Sequence, residues 1–230
     1  MRLRYLSNAI RKTMKTKSRD EIELSNWIAE YDWDVFGTLT FNKRQLHLTI
    51  KDALDESVKT ALVDKRFRGL MGYEKIKEEI ELNELKRFWN TLDKGYFGNN
   101  ADRKDFRIQR FNLIHMGNIK GKQRKRGTHT HIHFAALSPT KNIDGFIHKL
   151  QLCWDRNSEL SGLSEFRDVY NKKTLSNYLT HEFGNLGNDT IETNTTVLHT
   201  RQRYEEITNG YNRHFRHKQK TTECQKQLWT

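Results

Sequence analysis

The sequence predicts an α+β fold: a central antiparallel β-sheet with helices packed on its faces. Three observations point to it. Segments rich in β-branched and aromatic residues alternate with longer amphipathic ones, in the order strand, helix, strand, strand, helix, strand, helix. Two of the strands flank a loop bounded by Gly117 and Gly127, the pattern of an antiparallel hairpin. Hydrophobic residues are only 35% of the 230, but 11% are aromatic, and each ring buries a large area, so one modest core can form.

Leu3, Leu6, Ile10 and Met14 recur at spacings of three and four, which predicts an amphipathic helix in a segment, 1–19, with seven basic side chains and no acidic one. The run Val35-Phe36-Gly37-Thr38-Leu39-Thr40-Phe41 reads as a strand. A polar helical region follows from about 46 to 93. Its second half carries Leu82, Leu85, Phe88, Trp89 and Leu92 on one face, and the charged span 54–80 reads as an insertion or a loop. Residues 106–116 alternate as a strand, and 129–137 return as its partner. Pro139, the only proline, ends that strand and precedes a helix over 143–154. Residues 165–170 read as a strand and 174–183 as a helix closed by Gly184. From about 200 the chain mixes Arg201, Arg203, Arg213, Arg216, Lys218 and Lys220 with Tyr204, Tyr211 and Phe215.

The net charge of +12 favours a polyanionic partner. No segment pairs a basic face with a long apolar one, so nucleic acid is expected rather than a membrane surface. Cys153 and Cys224 are far apart and neither is in a CxxC pair, which suits reduced thiols. There is no apolar run of signal-peptide type and none near the roughly 20 residues that span a bilayer. A soluble, reducing compartment, the cytoplasm, is expected. The hairpin loop carries Lys120, Lys122, Arg124, Lys125 and Arg126, a positive tip suited to phosphates. No GxxxxGK[ST] phosphate loop occurs.

His129, His131 and His133 alternate on the second hairpin strand. Strand residues two apart share a face, so two of these imidazoles can converge on one metal ion. Ile132, between the second and third, then enters the core. A third ligand is expected from the neighbouring strand, where His115 can share the face of His131 or His133. A nucleophile is sought among tyrosines, since no GxSxG elbow is present. Tyr178 and His181, three apart on the predicted helix, can point into one site.

In this order the pieces resemble the HUH endonuclease superfamily, in particular replication initiator (Rep) proteins of rolling-circle phages and plasmids with one catalytic tyrosine. Phe36-Gly37-Thr38-Leu39-Thr40-Phe41 is similar to the first family motif, His131-Ile132-His133 to the histidine–hydrophobic–histidine motif, and Tyr178 to the helical tyrosine of the third. Phe88-Trp89-Asn90-Thr91-Leu92 looks like the helix ahead of the metal-bearing hairpin, and His115, two residues before Gly117, holds the place of the third ligand. The chain departs from the pattern at His181, where the family has a lysine. Tyr170-Asn171-Lys172-Lys173 offers an alternative with the family spacing. Tyr170, however, ends the expected strand, whereas the family tyrosine lies on the helix after it. His129 could replace one ligand, with Thr130 as the intervening residue.

The resemblance spans about 33–185. It implies an HUH/RRM-like, ferredoxin-like sandwich over 31–199, flanked by a basic helical arm (1–30) and a basic tail (200–230). It also implies a nickase: Mg²⁺ or Mn²⁺ on His115, His131 and His133, and attack by Tyr178 that leaves a 5′-phosphotyrosine and a free 3′-hydroxyl. Single-stranded DNA or a hairpin origin would be the substrate, and a host helicase and polymerase the partners, in the bacterial cytoplasm if the gene belongs to a phage or plasmid. A transposase or mobilisation relaxase shares this chemistry, and a non-catalytic basic nucleic-acid binder is the alternative of another class.

Overall fold

In the run 35–41 every second residue is buried, as the alternation of a half-covered strand requires. This is β1 (Val35–Phe41), seen in a computed structural model that describes residues 18–63, 73–115, 130–180 and 191–209. The other elements in chain order are α1 (Arg19–Ala29), ahead of β1, then α2 (Lys43–Val63), α3 (Tyr73–Phe97), α4 (Ala101–Lys104), β2 (Arg110–His115), β3 (His131–Ala136), α5 (Ile143–Asp155), β4 (Ser161–Asp168) and α6 (Lys172–Leu179). Residues 201–209 are also helical.

The four strands form one sheet in the order β2-β3-β1-β4, and every neighbouring pair is antiparallel. From β1 onward the chain runs β-α-β-β-α-β, the split βαβ or ferredoxin-like arrangement. The α+β expectation holds, with helices on both faces. Under one face, Leu39, Ile132 and Phe134 meet Phe88, Trp89 and Leu92 of α3 and Phe146, Leu150 and Trp154 of α5. On the other, Phe111, Leu113 and Ala135 meet Ile28 of α1 and Leu175 and Leu179 of α6.

Helix α1 lies within the residues read as an arm (1–30), yet it is docked. Ser18 caps it by accepting from the Glu21 amide at 3.1 Å. Ser25 Oγ donates towards Ser176 Oγ and Asn177 Oδ1, both at 3.1 Å, which ties α1 to α6. The helix at 201–209 is likewise anchored, in the span read as a tail. Ile207 is fully buried, and the Tyr204 hydroxyl donates to the Ser138 carbonyl at 2.9 Å and that of Leu137 at 3.1 Å. Burial holds this phenol well above its ordinary pKa.

Residues 191–197 run along the outer edge of β2, with bridges Arg110↔Val197 and Leu113↔Ile191. A buried ion pair sits beneath. Arg110 Nη1 donates to Asp93 Oδ1 and Oδ2 at 3.0 and 2.9 Å, Arg110 Nε donates to the Thr195 carbonyl at 2.8 Å, and the guanidinium lies over the Trp89 ring at 4.7 Å.

Several boundaries differ from the sequence expectation, among them those of β4 and α6. Strand β4 starts at Ser161 and ends at Asp168, instead of spanning 165–170. Its first residues lack strand propensity. Pairing with β1 sets them in place, and the register shifts between Leu39 and Phe41. A side chain at Gly162 would meet the Thr40 carbonyl oxygen and the Phe41 carbonyl carbon at 2.8 Å, so the close approach requires glycine. Helix α6 starts at Lys172 instead of 174, because Asn171 accepts from the Thr174 amide at 2.9 Å and starts the helix earlier, and the expected stretch 181–183 lies outside the described residues. Gly184 lies outside the described residues. The charged span 54–80 is helical on both sides of 64–72, which is also outside them.

Candidate nuclease site

Strand parity sends Ile132, Phe134 and Ala136 into the α3–α5 core and turns His131 and His133 to the opposite face. Their rings are 4.7 Å apart between centroids. His133 is 1% exposed, and His131 is half-buried. The register β1–β3 sets Thr38 directly opposite His133, and Thr38 Oγ1 lies 2.8 Å from His133 Nδ1. The register β2–β3 sets the His115 Cα opposite that of His131, so the two residues share a face. This is the placement expected of the third ligand. The side chain of His115 lies outside the described part.

Helix α6 crosses the same face. The Tyr178 ring meets the His133 ring at 5.0 Å and the Phe36 ring at 5.3 Å, both edge-on, and Phe36 also meets His133 at 5.5 Å. Tyr178 is 47% exposed, so one side of it stays open to a ligand. Its approach to His133 has two causes. Leu175 and Leu179 pin one side of α6 to the sheet, and the helical period then sets Tyr178, three residues after Leu175, at the edge of that contact.

Tyr170, the alternative nucleophile, does not end the strand. It lies past Asp168 and is 90% exposed. With Phe36, Thr38 and Tyr178 it lines a cleft of about 240 Å³. His181, His129, and the loop cations Lys120, Lys122, Arg124, Lys125 and Arg126 lie outside the described residues.

The donor set fits a metal ion. Imidazole pairs on one strand face are common ligands. Thr38 Oγ1, 2.8 Å from His133 Nδ1, is an outer partner of the kind that orients metal-binding histidines. Among the described residues no three His, Cys, Asp or Glu side chains form a metal-binding group, and the His115 side chain is not among them.

Thr38 and Phe36 were read from sequence as strand residues within the first motif of the resemblance, with no contact to His133 assigned. Parity already separates them from Leu39, but their contact with His133 depends on a register between strands nearly a hundred residues apart, for which the sequence carries no local signal. Among the described residues no helix is long and apolar enough to cross a membrane. No protein-family model, curated protein or solved structure matches the chain.

Proposed function

We propose that this chain is an HUH-type DNA endonuclease and strand transferase that initiates rolling-circle replication by nicking single-stranded or hairpin DNA. The observation that carries the reading is the contact of the Tyr178 ring with His133, 5.0 Å away, on the face shared with His131. A helical tyrosine, a strand histidine pair and an in-register third histidine are the three parts such a reaction needs, and they come from three separate segments.

Tyr178 Oη attacks the scissile phosphorus in line. The new O–P bond forms as the P–O3′ bond breaks. The phenol gives up its proton and the departing 3′ oxygen takes one, leaving a 5′-phosphotyrosine and a 3′-hydroxyl. No water is consumed, so the reverse attack by a 3′-hydroxyl rejoins strands. His131, His133 and His115 would hold a divalent ion, Mg²⁺ or Mn²⁺, which when bound supplies positive charge against the scissile phosphate. Three imidazoles suit softer ions as well, so a metal series belongs to the test. Thr38 holds the His133 ring in one orientation, and Phe36 supports both His133 and Tyr178.

The test is a covalent adduct. Wild-type protein, Mn²⁺ and a pool of labelled single-stranded oligonucleotides should give a slower band in denaturing gels. Tyr178→Phe should bind the pool and give none, and chelator should abolish the band. Adduct formation that persists in Tyr178→Phe moves the nucleophile to Tyr170. A wild type that forms no adduct with any metal removes the enzyme reading and leaves a binding protein.

A further inference from the structure

We propose that the cleft between β4 and α6 holds one unstacked nucleobase of the bound single strand, stacked on Tyr170, next to the phosphate that Tyr178 attacks. The inference rests on the nickase reading for its substrate.

The size of the cleft is the first argument. About 240 Å³ is below the roughly 300–1,000 Å³ of pockets that enclose a whole drug-sized ligand, so it suits one planar group of a larger molecule. Its lining is the second. Phe36 and Tyr178 supply ring surface inside, and Tyr170 borders it as a tyrosine left 90% exposed. Leu163, on the same face of β4 as Glu165, is a further apolar side chain left 86% exposed. Rings presented to solvent along a groove are how sequence-tolerant proteins hold single strands, because every base has a stacking face.

The charge of the cleft is the third argument, and it separates a base from a phosphate. The chain as a whole is at +12, yet the β4 wall is formed by Glu165, Arg167 and Asp168, two carboxylates against one cation, and Arg167 Nε already donates to Glu165 Oε1 at 2.8 Å. A phosphate gains nothing from a wall whose only cation is already paired. A neutral base does, since Glu165 presents acceptors and Arg167 donors to its edge. Thr38 and Tyr178 border both this cleft and the histidine pair, so a base seated here belongs to a nucleotide adjoining the reacting phosphate.

The experiment measures binding in chelator, where no cleavage is needed, and compares a short oligothymidylate with an abasic strand of equal length. The full chain is used as wild type, Tyr170→Ala, Tyr170→Phe and Thr174→Trp, the last filling the cleft from α6. Tyr170→Ala and Thr174→Trp should weaken oligothymidylate by about 5- to 100-fold, the range of one lost base stack. Both should bind the abasic strand as wild type does, and the slope of affinity against salt should not change, because no phosphate contact is lost. Tyr170→Phe should bind normally. Equal losses on both strands, a shallower salt slope, or no loss at all would overturn the inference. If the base effect is present but no adduct ever forms, the subsite stands and the nickase reading falls. A normal adduct without the base effect has the opposite meaning.

Discussion

Replacing Gly37 by alanine tests how closely the Phe134 ring packs over the neighbouring strand. The added Cβ would overlap the edge of the Phe134 ring, on the adjacent strand, with even the most distant of the three nearest ring atoms, Cε2, at 3.0 Å. Carbon atoms in contact sit about 3.5–4.0 Å apart and the nearest ring atoms would lie far inside that distance, so the ring would have to move by more than about 1 Å. It is fully buried and boxed in by Trp89 at 5.0 Å, Phe166 at 5.9 Å and Phe88 at 6.4 Å between centroids. Overpacking costs about 1–3 kcal/mol, and a ring confined on three sides belongs at the upper end. For a domain of this size about 3 kcal/mol corresponds to a fall in Tm of roughly 6–12 °C. Urea denaturation and thermal melts of Gly37→Ala measure this directly. Phe134→Leu in the same chain removes the obstacle. The double variant should therefore be less destabilised than the sum of the two single ones, by about 1 kcal/mol or more. A loss below about 1 kcal/mol for Gly37→Ala, or strict additivity with Phe134→Leu, would show that the ring yields and that the packing argument is wrong.

Three further outcomes are expected. Thr38→Val removes the hydroxyl 2.8 Å from His133 Nδ1 and should weaken Mn²⁺ binding by about 10- to 100-fold in calorimetric titrations, while Thr38→Ser keeps it; equal affinities for valine and wild type would deny Thr38 an orienting role. Asp93→Asn leaves the Arg110 guanidinium, 2% exposed, without its countercharge and should cost about 3–5 kcal/mol in urea denaturation, and a loss under about 1 kcal/mol would mean that Thr195 and the other acceptors suffice. His199 Nε2 donates to the Arg107 carbonyl at 3.0 Å, and burial holds its pKa below the ordinary value. The unfolded chain therefore takes up this proton first as pH falls, so the contribution of His199 is complete above about pH 6.5 and is lost below it. Melting curves across this range should fall less steeply with acidification for His199→Gln than for wild type, and parallel curves would contradict the assignment.

Much of the fold was readable because it follows from local periodicity. The helix expected over 143–154 is α5, Ile143–Asp155, whose amphipathic spacing and Asn142 cap are contained in a dozen consecutive residues. Strand β1 matches its expected limits because its alternation is unbroken from Val35 to Phe41. Strand β4 was misplaced by several residues, since Ser161 and Gly162 become strand only through their pairing with β1. The docking of α1 and of the helix at 201–209 was missed for a related reason. The basic residues of 1–19 and of the 200–230 span hid two helices that are not themselves basic, α1 with one arginine against three carboxylates and 201–209 with two arginines against two glutamates, and whose buried residues, Ile28 and Ile207 among them, lie between charged ones.

The sequence alone determined that His131 and His133 share a face and that Ile132 opposes them, because the two-residue pleat is a property of any strand. It also placed Tyr178 on a helix, in the segment expected over 174–183. Only the tertiary structure decided that Thr38 meets His133, that His115 stands opposite His131, and that Tyr178 meets His133 at 5.0 Å. Those relations depend on strand register and on how a helix seats on a sheet. Both are set by packing summed over segments distant in sequence, and a shift of one residue in either would have turned the same side chains to the other face.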